Sequence, residues 1–194
     1  MKLIFATNNV HKVQEIRSIL HDQPEVITLQ EAGIDIDIPE PYDTLEENAS
    51  HKAKTIYQLT GENCFSEDTG LEVEALGGEP GVKSARYAGE HRSFEKNIEK
   101  LLLRLGENTN RKARFRTIIS LILAGREYRF EGICNGEIIN KLRGGSGFGY
   151  DPVFIPEGAE KTFAEMTLEE KNQYSHREKA TRKLVTFLQT LKKP

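Results

Sequence analysis

Lys2-Leu3-Ile4-Phe5-Ala6, running directly into Thr7-Asn8-Asn9-Val10-His11-Lys12, decides the fold. The first five residues form a short apolar run that reads as a buried strand, and the next six a polar turn that opens a helix. Val13, Ile16, Ile19 and Leu20 then recur at helical spacing, so a helix is expected over about 9–21. A strand, a polar turn and a helix N-terminus make a ready anion site, because free N–H groups and the helix dipole both favour negative charge there. Lys12 puts an ammonium in the first turn, where the dipole disfavours it, which suggests an anion nearby. A solvated lysine on an exposed turn is the plain alternative.

Outward from this unit, strands and helices interleave. Glu25 to Leu29 alternates weakly and reads as a second strand, and Ala32 to Tyr42, with Gly33, Pro39 and Pro41, as a loop. Thr44 with Glu47 three residues on is a capping box, and Leu45, Ala49, Ala53 and Ile56 mark a helix over about 44–59 that Gly61 ends. Cys64-Phe65-Ser66 and Leu71 to Leu76 read as strands on either side of a polar turn, with a glycine-rich loop at 77–81. Phe94, Ile98, Leu101, Leu102 and Leu105 mark a third helix. The period then switches to two at Phe115, Thr117, Ile119, Leu121 and Leu123, and again from Tyr128 and Phe130, which gives a hairpin of two long strands. Gly144 to Gly149 reads as a mobile glycine loop. Ala180, Leu184, Phe187, Leu188 and Leu191 form a closing helix. The order implies an α/β protein with a mixed sheet.

Bulk properties narrow the function classes. A chain of 194 residues fits one domain over 1–194, or one domain with two lobes. Its net charge of -3, without a basic stripe carrying interleaved aromatics, argues against nucleic-acid binding. Any polyanion must be held by a local basic cluster. Cys64 and Cys134 have no metal-ligand spacing and read as reduced core residues of a cytosolic protein. No signal peptide is expected, because the N-terminus enters a strand at once, and no apolar run approaches membrane-spanning length.

Four segments carry candidate chemistry. In Ser66-Glu67-Asp68-Thr69-Gly70, carboxylates at the end of an apolar strand suit a hard cation such as Mg²⁺, which takes oxygen ligands. Neighbours on an extended chain point opposite ways, so Glu67 and Asp68 need not both bind it. A plain acidic turn is the alternative. Glu40 is a loop carboxylate that would either join this site or remain solvated. Phe148-Gly149-Tyr150-Asp151-Pro152 follows a glycine run, and its aromatic either closes over a flat ligand or tucks into the core. Lys171, Ser175, His176 and Arg177 precede and open the last helix, and Arg177 offers a planar donor fork for phosphate or base acceptors. Lys171 as a surface cation, and His176 as a helix-start residue without a role, are the alternatives. His11, His21, His51 and His91 show no metal spacing and read as surface residues.

Taken in order, six segments resemble the inosine triphosphate pyrophosphatases, also called dITP/XTP pyrophosphatases, over nearly the whole chain. They are Thr7-Asn8-Asn9-x-x-Lys12, Glu47-Asn48-Ala49-x-x-Lys52-Ala53, Ser66-Glu67-Asp68-Thr69-Gly70-Leu71, Gly77-Gly78-x-Pro80-Gly81-x-x-Ser84-Ala85-Arg86-Tyr87, Phe148-Gly149-Tyr150-Asp151-Pro152 and Ser175-His176-Arg177. The fourth is very similar to the bacterial branch. Asn8 stands where many members have glycine, and Glu67 where bacterial members often have a second aspartate.

The resemblance implies an elongated α/β structure, two lobes around a long mixed sheet with flanking helices, and an active site in the cleft between them. It implies a cytoplasmic, Mg²⁺-dependent homodimer that hydrolyses ITP, dITP and XTP to the monophosphate and pyrophosphate, cleansing the nucleotide pool. It places Thr7, Asn8, Asn9, Val10, His11, Lys12, Lys52, Thr69, Phe148, Gly149, Tyr150, Asp151, Lys171, His176 and Arg177 at the substrate. Asp68 is the expected catalytic residue and metal ligand, joined by Glu40 and Glu67. Water would attack the α-phosphate with Asp68 taking its proton, and Phe148 would stack on the base. Arg177 and backbone N–H groups would read the purine C6 oxygen. A Maf-type pyrophosphatase and a nucleotide-binding module without turnover are the rival readings. The Ser-His-Arg and Phe-Gly-Tyr-Asp segments argue against the first, and the presence of Asp68 against the second.

Overall fold

The apolar N-terminal run forms β1 (Lys2–Phe5), with Leu3, Ile4 and Phe5 all buried. It has a parallel partner on each side, β2 (Glu25–Thr28) and β3 (Cys64–Val73). A strand flanked by parallel neighbours is covered on both faces, which is why β1 is continuously apolar rather than alternating. The connection from β1 towards β2 contains α1 (Val10–Leu20), which buries Val13, Ile16 and Leu20. The computed structural model describes residues 1–20 and 24–191, so the expected last residue of this helix, His21, lies outside the described residues.

α2 (Leu45–Thr60) starts at the expected cap: the Thr44 hydroxyl accepts the Glu47 N–H, and Gly61 closes the helix with φ 70°. The polar stretch Ser66–Gly70, expected as a turn between two strands, is instead the middle of the ten-residue strand β3. Its polar side chains stay in the strand because each of Ser66, Glu67 and Asp68 has a partner in the interior. The strand expected to reach Leu76 stops at Val73, where residues 74–76 form a 3-10 turn. β4 (Pro80–Gly81) pairs antiparallel with the end of β3. Gly70 permits that pairing, since a Cβ there would lie 2.6 Å from the Gly81 carbonyl oxygen.

α3 (Phe94–Leu105) precedes the hairpin β5 (Lys112–Leu123) and β6 (Arg126–Ile138). Its two-residue turn, Ala124-Gly125, has φ 48° and 79°, the signs of a turn that matches strand twist. β7 (Phe154–Pro156) pairs antiparallel with β6. The short α4 (Leu168–Asn172) is held by a Thr167–Glu170 capping box. α5 (His176–Thr190) begins before its apolar stripe. The sheet runs β2-β1-β3-β5-β6-β7 with β4 on β3, which is the mixed α/β architecture expected.

The chain divides into two compact units. The first comprises Met1–Asp68, Thr117–Gly132 and Arg177–Pro194, and the second Thr69–Arg116 and Ile133–His176. In the first, Leu3, Phe5, Ile16 and Phe65 pack with Leu184 and Leu188 of α5, and a second cluster joins Ile4 and Cys64 to Ala53 and Ile56 of α2. The second unit has its own core of Leu71, Val73, Ile98, Leu101, Phe154 and Phe163. Both cysteines are buried and neither forms a disulfide. The Cys64 thiol donates to the Ala53 carbonyl oxygen at 3.2 Å, and burial pushes its pKa up to about 12. No helix among the described residues is long and apolar enough to cross a membrane.

Candidate active site

β3 sorts its side chains by the two-residue period of a strand. Cys64, Ser66 and Asp68 meet α2: the Ser66 hydroxyl donates to the Ala49 carbonyl oxygen at 2.5 Å, and Asp68 meets Lys52. Ala49, Lys52, Ala53 and Ile56 are the buried face of that helix, spaced at three and four residues. Phe65 and Glu67 point the other way, Phe65 into the cluster with Phe5 and Glu67 onto Lys12 and Arg177. The adjacent acids therefore serve two different sites.

At the first site, the Lys52 ammonium lies 2.5 Å from Glu40 Oε1 and 3.1 Å from Asp68 Oδ1. Lys52 and Asp68 are buried and Glu40 half-buried. Glu40 arrives by an alternation within the loop: Ile34, Ile36 and Ile38 are half-buried beside the Ala53–Ile56 core while Asp35 and Asp37 are exposed, and Glu40 continues the inward set. Asn8 Nδ2 ties this loop to the first turn through the Ile36 carbonyl oxygen at 2.9 Å. Burial raises the Asp68 pKa above its usual 3.8, and the Glu40 charge adds to that, with Lys52 and Lys12 opposing. Burial alone would lower Lys52, but Asp68 and Glu40 hold it above its ordinary value.

At the second site, Arg177 grips Glu67 with both arms of its fork, Nε to Oε2 and Nη2 to Oε1, each at 2.7 Å. Its Nη1 donates to Glu15 of α1. Lys12 Nζ lies 3.1 Å from Glu67 Oε1. Burial alone would raise the Glu67 pKa, but the Arg177 and Lys12 charges hold the carboxyl well below the usual range. Arg177 is 1% exposed. Its guanidinium, for which the resemblance implies a contact to the base oxygen, is paired in this structure with two buried carboxylates of the first unit. Nothing in the spacing of Glu15 separates it in sequence from a surface acid on α1.

The first turn also differs in detail. Asn9 Oδ1 accepts the His11 and Lys12 N–H groups at 3.0 and 3.2 Å, and Thr7 Oγ1 accepts the Asn9 N–H. Asn9 Oδ1 thus caps α1 by accepting two of the N–H groups that the turn's sequence leaves open to an anion. Val10 is exposed, and Thr7, His11 and Lys12 are half-buried.

In the second unit, Asp151 organises the glycine loop. Its Oδ2 accepts the Phe148 N–H at 3.0 Å and the Lys171 ammonium at 2.6 Å. Lys171 Nζ sits 5.3 Å from the centre of the half-buried Phe148 ring, within cation–π range. Gly147 has φ 76°, and a Cβ there would fall 2.1 Å from Asp151 Oδ2. Gly145 and Ser146 donate their N–H groups to the Ala164 carbonyl oxygen, so the loop is pinned at several points rather than loosely held. The Tyr150 hydroxyl donates to the Ser84 carbonyl oxygen at 2.8 Å, and Gly149 supplies a positive φ of 62°. His176 is buried flat against Phe115, with ring centres 4.7 Å apart. Thr69 is half-buried, next after Asp68 in β3. Lys171 is buried, which excludes the surface-cation alternative for it.

Lys12, Lys52 and Arg177 are ion-paired with Glu15, Glu40, Glu67 and Asp68, so these three cations already face carboxylates. A polyphosphate brought here needs a further cation. Glu40 and Asp68 already enclose one positive charge between hard oxygen donors, the chemistry Mg²⁺ accepts. Among the described residues no group of three or more potential ligands is poised for a metal. Two carboxylates completed by water and substrate phosphates are the arrangement Mg²⁺ commonly takes.

Known proteins resemble this chain over almost its whole length. The model of the Ham1 family matches residues 3–187. A dITP/XTP pyrophosphatase of Flavobacterium johnsoniae is 50% identical over 192 residues, covering 99% of this chain and all of its own. One of Porphyromonas gingivalis is 53% identical over 188 residues, covering 96% of this chain and 97% of its own. The solved structure of the Staphylococcus aureus Ham1 protein superposes with a TM-score of 0.89 at 41% identity, covering 99% of this chain and 100% of that one.

Proposed function

We propose that this chain, which belongs to the Ham1 family, hydrolyses ITP, dITP and XTP to the monophosphate and pyrophosphate. Its relatives named dITP/XTP pyrophosphatase support that substrate class. The observation that carries the chemistry is the buried Asp68 carboxylate, raised in pKa and held beside Lys52 and Glu40.

The residues of the first unit take the triphosphate. Lys12 and Lys52 exchange part of their carboxylate contacts for phosphate oxygens, and Thr7, Asn8, Asn9, Val10 and His11 line the turn at the start of α1. Mg²⁺ held by Asp68 and Glu40 would withdraw charge from the α-phosphate. Asp68 accepts the proton of the attacking water, a task for which a raised pKa suits a carboxylate. The water oxygen bonds to the α-phosphorus and pyrophosphate leaves. Glu67 serves as an anchor for Lys12 rather than as a metal ligand, and Arg177 fixes Glu67.

The residues of the second unit take the base. Phe148 stacks on the purine, and Lys171 supplies the donor for the C6 oxygen in place of Arg177. Adenine presents an amine there, leaving donor against donor, a mismatch that costs roughly 10⁴-fold in sites built on buried hydrogen bonds. Asp151 and Gly149 shape the loop, Tyr150 and His176 back it, and Thr69 follows the catalytic carboxylate. The setting is the cytoplasmic nucleotide pool, and the working form a homodimer.

Hydrolysis of dITP in oxygen-18 water tests the cleavage position. Label in the monophosphate supports attack at the α-phosphorus, and label in the pyrophosphate contradicts it.

A further inference from the structure

Phe94, the first residue of α3, is a large apolar side chain that remains 39% exposed. It continues the stripe formed by Ile98, Leu101 and Leu105, all of which enter the core of the second unit. At Phe94 the stripe runs past that core and meets Phe148, with ring centres 6.1 Å apart and planes tilted by 49°. That separation lies within the range of a favourable aromatic pair.

The start of α3 is rigidly anchored. The Ser93 hydroxyl accepts the Lys96 N–H, capping the helix. Asn97 is 2% exposed; its Oδ1 accepts the Ala88 N–H at 2.7 Å and its Nδ2 donates to the Ser84 and Ala85 carbonyl oxygens. The Tyr150 hydroxyl donates to the same Ser84 carbonyl oxygen. The helix that carries Phe94 and the loop that carries Phe148 thus share one buried anchor.

We propose that Phe94 is a positioning residue for base recognition: through its ring contact with Phe148 it fixes the aromatic face on which the purine stacks. Lys171 holds Phe148 by its charge and Asp151 by its backbone, while Phe94 sets the tilt of the ring. The inference rests on the reading of Phe148 as the stacking residue. Because Phe94 lies outside the core, its truncation tests recognition rather than folding.

The experiment measures kcat and KM for dITP in the unaltered chain, Phe94→Ala, Phe94→Tyr, Phe148→Ala and the double alanine variant. Phe94→Ala is expected to raise KM about two- to tenfold, the span of one aromatic pair, with kcat within twofold. Phe94→Tyr should restore KM, and Phe94→Ala should add nothing further in the Phe148→Ala background. An unchanged KM in Phe94→Ala, with KM raised in Phe148→Ala, overturns the inference and leaves the function standing. An unchanged KM in Phe148→Ala removes the stacking role itself. Absence of turnover in the unaltered chain removes the proposed function and the inference with it.

Discussion

The Lys52 ammonium lies 3.1 Å from the Asp68 carboxylate, in a buried position to which α2 and β3 each contribute one side chain. The contact keeps a carboxylate charged-capable in a place where burial works against its charge. Replacing Asp68 with Asn keeps the shape and removes the proton acceptor. Asp68→Asn is expected to lose about 10²- to 10⁴-fold in kcat, the usual contribution of a positioned base. Nucleotide affinity, measured by equilibrium binding, should change only a few-fold. Near-normal turnover would take the proton-accepting role away from Asp68.

Arg177 tests the difference between a base reader and an anchor. Arg177→Met strands Glu67 and Glu15 as buried carboxylates, and breaking such a pairing costs about 3–5 kcal/mol. Urea unfolding should register that loss. In the fraction that remains folded, the preference for dITP over dATP should stay within about twofold, because the proposed donor is Lys171. Lys171→Met should instead erode the preference strongly.

The pairing of Glu67 also predicts a pH dependence of stability. Its folded pKa lies below the ordinary glutamate value of 4.5, with Arg177 and Lys12 overcoming the upward push of burial. A carboxylate lowered on folding stabilises above its unfolded pKa, and that contribution is lost as pH falls through the folded value. The unfolding free energy of the unaltered chain should therefore exceed that of Glu67→Gln at pH 7. The gap should narrow as the pH is taken below 4.5, the ordinary value. A gap independent of pH would mean that Glu67 is not held as the charged partner of Arg177.

Much of this site was legible in the residues themselves, and the limits have physical causes. The β1–α1 unit follows from an apolar run meeting helical spacing, and the start of α2 from its Thr44 cap. The opposite directions of Glu67 and Asp68 follow from strand geometry alone. The continuity of β3 through Ser66–Gly70 was not legible, because a turn composition was overridden by partners distant in sequence: Lys12, Lys52 and Arg177. The same distance hid Glu15, 162 positions from Arg177. Two further features carry a local sequence signal: the Thr167–Glu170 box that starts α4, and the alternation from Ile34 to Glu40 that turns Glu40 inward.

Gly147 offers a local test of the base-side loop. It holds φ 76°, and an added Cβ would lie 2.1 Å from the Asp151 oxygen that accepts the Phe148 N–H. Gly147→Ala must therefore move Asp151 or the loop. Losing a hydrogen bond to a charged group costs about 1.5–3 kcal/mol, so KM for dITP should rise by roughly tenfold or more. The kcat, set in the first unit, should change much less. Equal loss in both would place the loop in the chemical step.

The most direct test of the account is pyrophosphate release from ITP, dITP, XTP, GTP, ATP and CTP, with Mg²⁺ and again after chelation by EDTA. Release that requires Mg²⁺ and is confined to ITP, dITP and XTP is the predicted result. Release from CTP alone, release that survives EDTA, or no release from any nucleotide would contradict it.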